Sequence, residues 1–220
     1  TENLGTANGT VSINGVEGGS AETVNLNSKS GFELSTATSK LNLNNVTIGG
    51  SDTIASVSNG SATIGLNNAI VNGNISSTAA YGLTIGGTTT INGTVGTADA
   101  TFAGTSLKFN TDTFANANSV SFTGGVIDLG TPTPSYDEYE IKGLTSGTGA
   151  SYTIDFDATN KLADIIKGTN SSTGTITLGN LNIAGNFSGV DANYKVQLIN
   201  NVGGSTLQLA LSDAVVTQLG

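Results

Sequence analysis

Three segments of this chain repeat one another at a fixed spacing. The residues from Leu41 to Gly50 (LNLNNVTIGG) are echoed from Ala62 to Gly73 (ATIGLNNAIVNG) and again from Leu83 to Gly93 (LTIGGTTTING), with starts 21 residues apart each time. A looser echo runs from Val120 to Leu129 (VSFTGGVIDL). Within each segment apolar and polar residues alternate, the period-2 pattern of a strand with one buried face. A repeat of twenty-odd residues built as strand, turn, strand, turn has the size of one solenoid coil. The spacing therefore predicts an all-β chain wound as a parallel β-solenoid (β-helix), with Leu41, Ala62 and Leu83 stacked at equivalent inward positions. A β-sandwich or jelly roll, whose strands also recur every ~8–12 residues, stays open as the alternative.

Coils are expected over residues 1–130. Residues 131–168 break the pattern, because they hold both prolines (Pro132 and Pro134), three of the five tyrosines (Tyr136, Tyr139 and Tyr152) and a run of carboxylates. Asn160 to Gly168 has the spacing of a helical turn and a closing glycine, so a short helix is expected there, in an insertion or junction. Residues 169–220 resume the alternation and are read as a terminal β-region. Its most apolar part, Thr206–Leu211 followed by Val215 and Val216, is expected to be strand-like and to form an assembly interface, with Leu207, Leu209, Leu211, Val215 and Val216 as the contact residues. Asn-Gly pairs at Asn8, Asn14, Asn59, Asn72 and Asn92 are expected to supply positive-φ corners, and asparagines at equivalent corners to stack into ladders.

Composition narrows the chemistry. Apolar residues make up 36% of the chain and charged residues 10%. Leu, Ile, Val and Phe still amount to roughly a quarter, above the level at which composition alone predicts disorder. A thin core spread along the chain is what a solenoid has. There is no Cys, His, Met, Trp or Arg, which removes disulfides, thiolate or imidazole metal sites, the usual general bases and the bidentate anion clamp. The net charge of -9 repels nucleic acid and anionic lipid, and no apolar run is long enough for a membrane helix. No signal peptide precedes Thr1, as expected of a mature or trimmed product.

The segments Leu83 to Val95 and Leu178 to Gly189 resemble the passenger regions of autotransporters and of filamentous-haemagglutinin-type adhesins. Surface-layer proteins share the same texture. The resemblance implies a right-handed β-helix exposed on a bacterial surface. The chain is expected to be secreted and to carry no cofactor.

Few positions invite chemistry. Asp155 and Asp157 flank Phe156, and on a strand they share a face ~7 Å apart. Hard oxygen ligands make them calcium candidates, and inverting glycosidases hold two carboxyls at a similar ~6.5–9.5 Å. The expected arrangement is a solvated strand face with Phe156 turned inward and no bound metal. Thr1 has the makings of an N-terminal nucleophile but lacks the layered scaffold such enzymes use. The seven Asn-x-Ser/Thr triplets are what an Asn-, Ser- and Thr-rich chain produces by chance. The expected function is a non-catalytic extracellular structural protein, a subunit that pairs with copies of itself in a filament, sheath or surface layer. An adhesin module for surface glycans or host matrix is the alternative, and a polysaccharide-acting β-helix enzyme a minor one.

Overall fold

The computed structural model describes residues 9–16, 22–27, 31–146, 149–187 and 194–219. The first coil is β1 (Thr10–Asn14), β2 (Glu22–Asn25) and β3 (Phe32–Leu34), and the second is β4 (Lys40–Asn44), β5 (Val46–Gly49) and β6 (Thr53–Val57). A third coil follows with β7 (Thr63–Asn67), β8 (Ile70–Val71) and β9 (Asn74–Ser77). Two narrower coils contain β10 (Tyr81–Gly86) with β11 (Thr88–Ile91), then β12 (Ala98–Phe102) with β13 (Ser106–Phe109). Next come β14 (Ser119–Phe122), β15 (Val126–Asp128) and β16 (Glu138–Lys142). They are followed by β17 (Leu144–Ser146), β18 (Ser151–Asp157), β19 (Leu162–Ala163) and β20 (Ile165–Thr169). The last elements are β21 (Thr173–Ala184), β22 (Ile199–Asn201), β23 (Thr206–Leu211) and the helix α1 (Asp213–Leu219).

Equivalent strands of successive coils pair side by side, which makes the molecule a parallel β-solenoid. One face is the sheet β1-β4-β7-β10-β12-β14-β17, and a second runs β2-β5-β8-β11-β13-β15-β18-β21-β23. The third side is built in two pieces, β3-β6-β9 and β16-β20-β22. Between those pieces it thins to the isolated bridges Ile75 to Val95 and Gly96 to Asn116. Among the described residues the short β18–β19 pair is the one antiparallel contact.

Because side chains alternate across a strand, each inward position stacks on its counterpart one coil away. Leu41, Ile64, Leu83, Ala100, Val120 and Leu144 form one such column. Leu43, Leu66, Ile85, Phe102 and Phe122 form the next, and every member of both is buried. Aromatic rings fill the interior in the middle of the stack. Phe109 meets Phe114 edge-on at 5.0 Å and Tyr139 at 5.9 Å, while Phe122 meets Tyr152 at 6.3 Å.

The columns correct the simple period. Leu41 and Leu83 do share a column, but the member between them is Ile64, not Ala62. The steps are unequal, 23 residues from Leu41 to Ile64 and 19 from Ile64 to Leu83. Ala62 lies two residues earlier, so it keeps the inward face and is fully buried at 0% exposure.

Two helix assignments also change. Asn160 to Gly168 is not a helix: Lys161 turns at φ 61°, and β19 and β20 follow, with Ile166 and Gly168 buried in alternation. Within 131–168, β17 and β18 pair with β14 and β15, so the stack continues through the stretch expected as an insertion or junction. Conversely, Val215 and Val216 lie on α1 rather than on a strand.

Corner chemistry holds the coils in register. The turn between the first and second faces has positive φ at Asn45, Asn68 and Gly87. Asn68 Nδ2 donates to Asn45 Oδ1 at 3.0 Å, and Asn68 Oδ1 accepts from the Thr88 amide at 2.8 Å. The ladder thus spans three coils. The expected positive-φ role of the Asn-Gly pairs does not hold at Asn14, Asn59, Asn72 or Asn92, and Asn8 lies outside the described residues. At Asn92-Gly93 the glycine answers a close approach instead, since a Cβ there would overlap the Gly73 carbonyl. Asn92 Nδ2 still donates to Asn72 Oδ1 at 2.7 Å, a second ladder.

Gly87 combines a φ of +57° with a Cβ direction aimed into Asn68 Oδ1, so an alanine there strains the backbone and breaks the ladder together. Gly87→Ala should destabilise by at least ~1–2 kcal/mol in denaturant unfolding. Gly124→Ala, at a site with nothing within 4 Å, should be near neutral. Equal midpoints for the two variants would remove the corner from the account of stability.

Candidate functional site

The carboxylate pair on β18 is where the sequence places chemistry. Alternation along β18 stops at Ile154, and from there to Asp157 every residue is buried. Phe156 faces inward as expected, 6.0 Å from Phe187. The face that Asp155 and Asp157 share is not solvated, however: they are 0% and 8% exposed. A loop over residues 129–137 lies across Asp155, and a turn from Ala158 to Lys161 closes on Asp157.

Both carboxylates are fastened by donors. Asp155 Oδ2 accepts from the Thr131 amide at 3.0 Å, the Thr131 hydroxyl at 2.7 Å and the Ser135 amide at 3.3 Å. Its Oδ1 accepts from Asn182 Nδ2 at 3.1 Å. Pro132 and Pro134, between those donors, favour an extended backbone in the residue before each, which suits a loop laid flat on a sheet. Asp157 Oδ1 accepts the amides of Thr159 and Asn160, each at 2.9 Å, and Oδ2 accepts Asn160 Nδ2 at 2.8 Å and the Tyr136 hydroxyl at 3.4 Å. These bonds, led by those from Asn160, hold the Asp157 carboxyl below the usual carboxylate range. Calcium would have to displace N–H donors from the same oxygens. Among the described residues no group of three or more carboxylates is arranged to hold a metal ion.

Asp164 is the residue sequence reasoning missed. It sits between β19 and β20 at 1% exposure and clasps β18 to the loop that leads into β16. Its Oδ2 accepts the Asp155 amide at 2.8 Å and its Oδ1 the Asp137 amide at 3.1 Å. Burial pushes its carboxyl up to about 7, against the two backbone donors, and Asp155 and Asp137 add to the rise. The sequence carried no sign of this, because Asp164 reads as one more polar residue in a helix-like run. The hydroxyls of Tyr81 and Tyr152 are also buried, with no hydrogen-bond partner among the described residues, and burial raises the pKa of both.

The terminal apolar segment divides between core and surface. Leu207 and Val215 are buried, at 5% and 0% exposure, and belong to the subunit interior. Leu209 and Leu211 on β23 are each 42% exposed, and Val216 on α1 is 54% exposed. Leu209, Leu211 and Leu219 rim an apolar groove of about 330 Å³ floored by Phe156, Leu178 and Leu181. A polar groove of about 490 Å³ runs along β3, β6 and β9, where Glu33, Ser56 and Ser76 stand in register and the two serine hydroxyls are 3.2 Å apart. Thr1, the remaining candidate, lies outside the described residues.

No protein-family model matches this chain, and neither a curated protein nor a solved structure is significantly similar to it.

The raised Asp164 carboxyl has a definite consequence for stability. The folded protein holds this proton more tightly than the unfolded chain, so the stabilisation is complete below the unfolded value of 3.8 and is lost as pH rises through about 7. Asp157 acts in the opposite sense, and its contribution is lost only as pH falls into the acid range. The melting temperature should therefore decline between about pH 5 and 8. Asp164→Asn should flatten that slope, at some general loss because one acceptor oxygen is gone. A melting temperature that is level or rising over that range in the native sequence would refute the clasp's titration.

Proposed function

We propose that this chain is a non-catalytic extracellular structural protein that works as a subunit in an assembly of its own copies. The supporting observation is the apolar surface at the C-terminal end of the stack, where Leu209, Leu211 and Val216 are exposed beside the apolar groove. In a solenoid the inner columns are covered by the next coil, and at β23 that cover is incomplete among the described residues. Among the described residues no strand lies outside β23; Asn201 holds the Leu207 amide and carbonyl, and the edge beyond it, at Leu209 and Leu211, is the part a second copy could pair. A second copy would cover the leucines and pair the edge together. The carboxylates agree with a structural role, because Asp155, Asp157 and Asp164 all spend their oxygens on holding loops and strands.

A second reading, an adhesive module, draws on the polar groove along β3, β6 and β9. Its hydroxyls and Glu33 repeat at the strand spacing of ~4.8 Å and suit a hydroxyl-rich extended ligand such as a glycan.

The assembly reading is tested with Leu209→Lys/Leu211→Lys. Wild-type protein should sediment as larger species with rising concentration and show ordered assemblies in negative stain. The double variant should stay monomeric, with unchanged β-rich circular dichroism and a melting temperature within a few degrees of wild type. Leu207→Lys should instead unfold the chain, because Leu207 is core. Wild-type protein that remains monomeric at millimolar concentration sinks the assembly reading and puts the adhesive one ahead.

A further inference from the structure

β21 is the longest strand, and it changes partners along its outer edge. From Thr173 to Leu178 it pairs with β23. At Gly179 its register against β18 slips by one residue, with Tyr152 opposite Leu178 and Thr153 opposite Asn180. A Cβ at Gly179 would overlap Ser151 Oγ, so any larger residue there would have to displace the Ser151 side chain. Beyond this bulge, Asn180 to Ala184 pair with β18 on one side and, among the described residues, have no strand on the other.

The chain leaves the sheet at this same level. The Ser212 amide donates to the Leu178 carbonyl at 2.9 Å and its hydroxyl to the Gly179 carbonyl at 3.2 Å. Ser212 also accepts the Val215 amide at 3.3 Å, so it caps the start of α1, with Asp213 in the acidic first turn. The helix folds back over β21, burying Val215 completely. It thereby delivers Gln218 to the uncovered half of the strand. Gln218 Oε1 accepts the Leu181 amide at 3.1 Å, and Nε2 donates to the Leu181 carbonyl at 3.0 Å and to Asn180 Oδ1 at 3.1 Å.

In a parallel ladder, a residue facing a neighbouring strand has its N–H and its C=O satisfied by two different residues of that strand. Here one side-chain amide does both. We infer that α1 is an edge guard: Gln218 takes the place of the next strand at Leu181 and keeps an extended segment of a second copy from adding to the outer half of β21. The guard works by occupying backbone groups that otherwise template pairing. It also gives the end of the stack two zones, a guarded one at Leu181 and an apolar one at Leu209 and Leu211. The inference does not depend on wild-type copies assembling through that second zone.

Two substitutions test it. Gln218→Leu keeps the packing volume and loses both bonds to Leu181. The Leu181 amide should exchange with deuterium at least tenfold faster, and the variant should sediment as dimer or larger at concentrations where wild type is unchanged. Gln218→Glu adds a signature that a packing role would not give. At pH 7 its carboxylate accepts the Leu181 amide but faces the Leu181 carbonyl and Asn180 Oδ1 with no donor, so it should associate as Gln218→Leu does. Near pH ~3.5 the protonated acid regains a donor, and sedimentation should return to that of wild type at the same pH. If Gln218→Leu proves too unstable to measure, the pH comparison of Gln218→Glu decides alone. An unchanged Leu181 exchange rate would show that Gln218 does not cover the edge. Faster exchange with wild-type sedimentation would show that the uncovered edge does not recruit a strand. Either result overturns the inference, whereas a monomeric wild type would overturn only the assembly reading.

Discussion

A coil of this molecule cannot satisfy its own backbone. Its strands lie end to end around the axis, so most of their N–H and C=O groups point up or down the stack, and a buried backbone group left unpaired is costly. Those groups are met by the coil above and the coil below, as in the run from Lys40–Asn44 through Thr63–Asn67 to the Tyr81–Gly86 strand. Stability is therefore a property of neighbouring pairs rather than of any coil alone. The requirement is strict about register and lenient about everything else. A slip by one residue would turn Leu41 and Leu43 to solvent, whereas a longer loop between strands leaves the ladder untouched.

That difference explains which features were legible in the sequence. Alternation and β-branched residues are written locally, in stretches such as Leu41 to Ile48, so strands and an inward face could be read directly. The coil length could be read only on average. Leu41 and Leu83 share a column, but the loops between them differ, and Ala62 was misplaced by two residues while keeping its inward orientation. Helix and strand were harder to separate where a short apolar run fits both periods. Leu162, Ile165 and Ile166 suit a helical turn, yet the stack supplied Glu138 to Lys142 as a parallel partner and made a strand. At Val215 and Val216 the β-branched residues suggested a strand, but the Ser212-Asp213 start made a helix.

The carboxylates show a different limit. Spacing correctly put Asp155 and Asp157 on one face of a strand, but it could not show what covers that face. The cover comes from residues 129–137, distant in sequence and marked only by two prolines among hydroxyl-bearing residues. Once Thr131 and Ser135 donate to Asp155, and Asp164 receives the amides of Asp155 and Asp137, the group becomes a lock between the loop, β18 and the turn into β20. An acidic cluster that reads as a ligand site from sequence is, in three dimensions, a set of acceptors for backbone donors stranded by an irregular loop. The uncharged Asn ladders at the corners perform the same task more cheaply, because an amide both donates and accepts and so repeats along the stack without accumulating charge.

Amides also end the stack. Asn68 links three coils by accepting from the Thr88 amide and donating to Asn45, and Gln218 uses the same two-way capacity on a longer stem to meet both backbone groups of Leu181. A lysine or a carboxylate at that position would satisfy one group and leave the other facing an unmatched charge or lone pair. The choice of side chain thus follows from the constraint that governs the interior. Wherever a coil lacks a neighbour, something must stand in for a peptide group, and a primary amide is the closest chemical copy of one. The apolar columns have no such small substitute, because covering them takes area rather than hydrogen bonds. A seven-residue helix can close one backbone position and bury Val215, yet it leaves Leu209 and Leu211 partly exposed.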